Sequence, residues 1–189
     1  MSKHFTLLKI KSSTSGFLFL LLTGFFPFHS QAQVTISSTA AATIVTVIGL
    51  TKNYNLDFGN LAVTSSAGTC VLAPAAGPNP GRTKTGGVTL PAFIGTPRAA
   101  EFVVTGVPSQ LFTINISPTS LTISSGGNNM TVNTFTTDQT VVTPGTSWYG
   151  TLGSSGTTFH VGGTVNVNAN QPAGLYQNLT GFPVTVNYQ

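Results

Sequence analysis

The chain has 189 residues, a length that fits one domain preceded by a short leader. Only 5% of its residues are charged, and seven Lys and Arg stand against three Asp and Glu. Three of the basic residues precede Gln33, so the rest of the chain is nearly neutral. This composition excludes a nucleic-acid partner, because phosphate binding needs several Lys or Arg on one face.

Residues 1–32 have the pattern of a secretory signal peptide. The three lysines give a basic start, and an apolar run follows from residue 16 to residue 28. The run is shorter than the roughly 20 residues that a membrane-spanning helix needs. Ser30 and Ala32 then provide small residues at the spacing that a signal peptidase reads. The sequence therefore predicts export, cleavage after Ala32, one domain over 33–189 and no transmembrane segment in it; an uncleaved N-terminal anchor is the alternative.

Apolar and polar residues alternate in several short segments, a pattern typical of strands with one buried and one solvated face. No segment has a helical period. About eight to ten short strands, separated by Gly, Pro, Asn and Ser, predict an all-β sandwich or open barrel. Strands are predicted at 43–50, 56–61 and 88–91 among others, and a connector at 74–87.

The last strand has the clearest alternation. Phe182, Val184, Val186 and Tyr188 share one face, and polar residues share the other. Pro183 lacks a backbone donor, which predicts a strand that runs along the edge of a sheet or carries a bulge there.

Few residues could carry catalysis. The exported chain has three carboxylates, Asp57, Glu101 and Asp138, in separate segments, and one histidine, His160. His160 stands between two apolar residues, so we expect it to face solvent from a strand. No Gly-x-Ser-x-Gly motif accompanies it. The sequence predicts no enzyme, no cofactor and no catalytic residue.

No metal site is predicted either. The chain has too few His and Cys for a zinc site, and Asp57 with the Asn residues at 53, 55 and 60 fits a polar strand face better than a calcium site. Cys70 is the only cysteine. We expect it to be a buried strand thiol; a bridge between chains is the alternative.

Two adjacent aromatic residues, Trp148 and Tyr149, lie in a stretch rich in Gly and Thr. Aromatic rings in such a place either stack on a ligand, for instance a sugar ring, or close one end of a sandwich core. The sequence leaves both interpretations open.

A series of short sequence motifs (phrases), each of low specificity alone, occurs in order along the chain. Together they resemble the DUF4402 family of exported bacterial proteins, whose domains are similar to those of pilins and spore-coat protein U. The resemblance implies an immunoglobulin-like sandwich at the cell surface, associated with the outer membrane or extracellular. The phrases are LDFGNL at 56–61, RTKTGGVTL at 82–90, AEFVVTG at 100–106, MTVNTF at 130–135, FHVGGTVNV at 159–167 and NQPAGLY at 170–176, with shorter ones at 42–46 and 184–188.

The resemblance to pilins also implies a mode of assembly, in which the N-terminal arm of one subunit adds a strand to its neighbour. Here the predicted arm is 33–42, with Val34 and Ile36 as its anchors, although the cysteine pair usual in pilins is absent. The expected function is a surface structural or adhesive subunit of fimbrial type. Its expected partners are further copies, other surface subunits and a periplasmic chaperone. The alternative is a secreted monomeric module that binds carbohydrate through Trp148 and Tyr149.

Overall fold

The computed structural model describes residues 33–93, 95–143 and 147–189, so the predicted signal peptide lies outside the described residues. The chain divides into two units, Met1–Ala42 and Thr43–Gln189. The described part of the second unit contains only strands as regular structure, in two antiparallel sheets, which confirms the predicted β-sandwich. The strands are β1 (Gly49–Tyr54), β2 (Ala62–Leu72), β3 (Arg82–Thr89), β4 (Ala100–Thr105), β5 (Leu111–Ile116), β6 (Ser120–Ser125), β7 (Asn128–Thr137), β8 (Thr140–Thr143), β9 (Ser147–Thr151), β10 (Thr157–Val167) and β11 (Val184–Tyr188).

The long strand β10 organises the seven-stranded sheet. Its first half pairs with β4 and its second half with β2, while β7 pairs along the opposite edge. The strands β1, β3 and β6 lie outside β4, β2 and β7. Gly162 stands where β10 passes from β4 to β2, and a Cβ there would collide with the carbonyl oxygen of Leu72. This glycine therefore lets three strands meet closely.

The second sheet has four strands in the order β11-β5-β9-β8. The core lies between the two sheets, because alternate residues of each strand point inward. Each large side chain buried there contributes about 1.5–3 kcal/mol. The largest fully buried side chains are those of Trp148, Phe112, Phe135, Phe159, Leu72, Ile114 and Ile116.

The prediction of a connector at 74–87 is wrong, because β3 begins at Arg82. The first part of β3 lacks the apolar alternation of a core strand. Its two glycines are needed because residues 64–67 of β2 bulge across them. A Cβ on Gly87 would collide with the carbonyl oxygen of Ser66. In the sequence these glycines indicate a loop. In the structure they allow the backbones of β2 and β3 to approach each other closely.

Two predicted strands are also wrong. Residues 43–48 form no strand, and β1 begins only at Gly49. Residues 56–61 form no strand either, since only Asp57 makes a bridge, to Arg98. The chain turns at Gly59, whose φ is 67°, a conformation that favours glycine. Apolar and β-branched residues in a short segment therefore do not by themselves predict a strand.

Candidate functional site

His160 is buried, with 7% of its surface exposed, so the prediction that it faces solvent is wrong. Its neighbours Phe159 and Val161 point into the core and are fully buried. The imidazole therefore stands on the outer face of the larger sheet. It is buried there because carboxylates from two other segments lie against it.

Both ring nitrogens of His160 contact a carboxylate. Nδ1 lies 2.7 Å from Asp138 Oδ2, and Nε2 lies 3.3 Å from Glu101 Oε2. The backbone N–H of His160 also donates to Asp138 Oδ1, at 3.0 Å. Glu101 stands directly opposite His160 in the β4–β10 pair, and Asp138 comes from the corner between β7 and β8. Two acids that are far apart in sequence thus converge on the only histidine of the described chain.

The cluster is suited to joining strands. The imidazole of His160 links β10 to the carboxylates of β4 and of the corner after β7, because each ring nitrogen lies within hydrogen-bond distance of a carboxylate oxygen. A hydrogen bond from Asn53 lowers the pKa of Glu101 below its ordinary value; burial opposes this, and the bond and charge of His160 add to it. Within the described ranges no group of three His, Cys, Asp or Glu side chains has the arrangement of a metal site.

Asp57 and its asparagine neighbours do not converge. Asp57 accepts hydrogen bonds from the backbone of Gly59 and the hydroxyl of Thr96, at 2.7 and 3.4 Å. Asn53 donates to Glu101, and Asn60 donates to a backbone carbonyl 33 residues later. The contact of Asn53 joins β1 to β4, and those of Asp57 and Asn60 join loops.

Cys70 is fully buried in β2, which confirms the predicted strand thiol. Burial raises the pKa of the thiol, and the positive charge of Arg82 opposes that rise. A buried sulfur of this kind cannot reach a second chain while the sheets stay packed.

Trp148 and Tyr149 point to opposite faces of β9, as adjacent strand residues do. Trp148 is 2% exposed and belongs to the core, opposite Ile114. Tyr149 is half-buried on the outer face, opposite Thr113. The interpretation of both rings as one ligand platform is therefore wrong, and only Tyr149 is a candidate for ligand contact.

The strand β11 lies at the edge of the smaller sheet and pairs only with β5. The N–H of Gln189 donates to the carbonyl of Leu111 in β5, at 3.1 Å, and the carbonyl of Pro183 accepts from the N–H of Ser117, directly after β5, at 3.3 Å. Odd-numbered residues therefore direct their backbone polar groups toward β5, and even-numbered residues toward the open edge. The N–H that Pro183 lacks lies on the β5 side. The open edge thus keeps the donors and acceptors of Val184, Val186 and Tyr188.

The described edges of the larger sheet are protected, unlike that of β11. Lys52 and a bulge interrupt β1, and Arg82 and Lys84 stand on β3. The backbone of Gln177 pairs with β6, and the side chain of Asn178 donates to a carbonyl of the same strand. Charges, bulges and covering segments are the usual protection against strand addition. The other edge strand of the smaller sheet, β8, borders residues 144–146, which the structure does not describe.

An open recess lies between the sheets on the side of β11. It is bounded by β1 and β4 of the larger sheet and by residues 180–182, which lead into β11. Leu56, Phe102 and Phe182 supply its apolar lining. Val184 and Val186 also pack on the core while remaining partly exposed. The core is therefore incompletely covered next to the open edge.

Residues 33–47 are exposed and form no strand. Val34 and Ile36 of the predicted arm are 83% and 87% exposed, and Ile44 is 99% exposed. The segment contains no charged residue. Where it approaches β1, the hydroxyl of Tyr188 donates to the carbonyl of Thr46, at 2.9 Å.

Comparison with known proteins identifies a family without assigning a role. The model of the family described as Domain of unknown function (DUF4402) matches residues 48–188, which leaves the exposed segment 33–47 outside the match. No curated protein and no solved structure matches the chain. Among the described residues, no helix has the length and hydropathy to cross a membrane. Because the family model covers well over half of the chain, the protein belongs to the DUF4402 family.

Proposed function

We propose that this protein is an exported cell-surface subunit, structural or adhesive, whose copies join by strand addition. The observation that carries the proposal is the unprotected edge of β11, which presents the backbone groups of Val184, Val186 and Tyr188. An extended segment gains main-chain hydrogen bonds by pairing with such an edge. A fimbrial assembly, with a periplasmic chaperone that covers the edge before assembly, is the form we propose.

The exposed N-terminal segment has the properties of the added strand. Val34 and Ile36 alternate with Thr35 and Ser37, so one face of an extended arm is apolar. The recess beside β11 has a mixed lining, in which Leu56, Phe102 and Phe182 can contact that face while Lys52, Asn55 and Thr180 are polar. Each of the two anchors would contribute about 1.5–3 kcal/mol when fully buried. An uncharged arm also enters a gap between sheets without the cost of burying a charge.

Residues 1–32 support export to the surface. Their basic start, apolar run and small residues follow the pattern of a cleaved leader. N-terminal sequencing of the secreted protein is expected to begin at Gln33. Retention of the full-length chain in the cytoplasm would contradict export without testing strand addition.

The decisive experiment changes one face of the arm at a time. Val34→Asp with Ile36→Asp places charges on the apolar face, whereas Thr35→Asp with Ser37→Asp adds the same charge to the other face. Light scattering and electron microscopy are expected to show oligomers for the unchanged protein and the second variant, and monomers for the first. Two results would refute strand addition by this arm. The unchanged protein could remain monomeric at high concentration and in its own cell envelope, or both variants could assemble equally.

A further inference from the structure

Among the side chains that the structure describes, the outer face of the smaller sheet carries no charged one. Its middle row runs across all four strands through Asn187, Thr113, Tyr149 and Thr140. The flanking positions are polar apart from one leucine and equally uncharged: Thr185, Asn115 and Ser147 on one side, and Gln189, Leu111 and Thr151 on the other.

Tyr149 is the aromatic side chain at the centre of this face. Its hydroxyl bonds to no described group of the protein, whereas the hydroxyls of Tyr176 and Tyr188 each bond a backbone carbonyl. Leu111 lies diagonally beside Tyr149, since it stands opposite Thr151 while Tyr149 stands opposite Thr113. The centre of the face therefore combines an aromatic ring, an apolar neighbour and an unused hydroxyl.

Amide groups lie within reach of this centre. Asn187 and Gln189 are exposed on β11, two strands away from Tyr149. Strands lie about 4.8 Å apart, so the separation is about 10 Å, which a short oligosaccharide can span. Amides both donate and accept hydrogen bonds, as sugar hydroxyls do.

We propose that this face binds a neutral oligosaccharide, with one sugar ring stacked on Tyr149 and neighbouring hydroxyls bonded to Asn187 and Gln189. A sugar ring has an apolar C–H face that packs on an aromatic ring, and its hydroxyls need polar partners at the rim. The lack of charge selects a neutral glycan, because an anionic chain would find no cation on the face and a cationic one no carboxylate. This binding role is independent of strand addition.

The test titrates the purified protein with three neutral probes, cellohexaose, laminarihexaose and chitohexaose, and with the anionic polymer polygalacturonate. Calorimetry gives the affinities, and amide chemical shifts locate the contact. We expect one of the neutral probes to bind and to shift the signals of Tyr149 and Asn187. The anionic polymer is expected not to bind.

Four variants separate the contributions. Tyr149→Thr is expected to weaken binding by about tenfold or more, Tyr149→Phe to retain most of it, and Asn187→Ala to weaken it less than Tyr149→Thr. Thr164→Ala, on the outer face of the larger sheet, is the matched control and leaves affinity unchanged. Circular dichroism checks that each variant is folded. The proposal fails if no neutral probe binds, if Tyr149→Thr binds like the unchanged protein, or if the anionic polymer binds best.

Discussion

The outer faces of the two sheets use their polar residues in different ways. On the larger sheet, around β4 and β10, the face carries His160, Glu101 and Asp138, which bond to one another. On the smaller sheet the face carries no charge, and Tyr149 stands among hydroxyl and amide groups. A protein with so few charges therefore places two of its three carboxylates in one cluster with its buried histidine.

The difference teaches where each face can act. Side chains that satisfy one another stabilise the fold and have little left to offer a partner. On the neutral face the hydroxyl of Tyr149 bonds to no described group of the protein, so it can exchange water for a ligand. We therefore expect mutations in the charged cluster to lower the free energy of unfolding, and mutations on the neutral face to lower the affinity for a ligand.

Among changes on the two outer faces, the largest effect on stability is expected when Asp138 is replaced by Ala. The change removes the acceptor of both the imidazole and the backbone N–H of His160, and leaves those buried donors without a partner. We expect the free energy of unfolding to fall by about 1–3 kcal/mol, measured by urea denaturation. Asp138→Asn keeps an oxygen for the backbone N–H and should lose less. Equal stability of Asp138→Ala and the unchanged protein would show that the cluster contributes nothing.

The sequence could predict only part of this cluster. The position of His160 between Phe159 and Val161 correctly indicates that the imidazole points away from the core. It does not reveal burial, because Asp138 reaches His160 from a corner 22 residues earlier in the chain. Strand alternation is a local signal, and contacts between distant segments leave no local trace.

The fold shows the same limit. The alternation of Phe112, Ile114 and Ile116 predicts β5 well, since that strand has a sheet neighbour on both sides and one face in the core. The run of β-branched residues at 43–48 predicts a strand that is absent, because no described strand pairs with it. β3 was missed because its glycines serve a crossing with β2 that only the folded chain contains.

A smaller effect concerns the pH dependence of stability. The pKa of Glu101 is lowered from its ordinary 4.5, first by the hydrogen bond from Asn53. Its contribution is therefore fully present above the ordinary pKa and is lost as the pH falls through the lower value of the folded state. Because Glu101 is partly exposed, we expect less than about 1 kcal/mol. Unfolding of the unchanged protein and of Glu101→Gln should differ most near about pH 7 and converge near about pH 3; a constant difference would contradict this origin.

The smallest effect on stability is expected at the centre of the neutral face. Tyr149→Thr keeps a residue that favours strands and removes no hydrogen bond made by the tyrosine hydroxyl, so the free energy of unfolding should change by about 0.5 kcal/mol or less. Trp148→Ala, at the next position along β9, is the contrasting change, because it empties a fully packed site and should cost about 3–5 kcal/mol. Thermal and urea unfolding of both variants measure the contrast. If Tyr149→Thr destabilised the sheet by several kcal/mol, the ring would be a packing residue, and a weaker affinity for sugars in that variant could no longer be assigned to the loss of a binding contact.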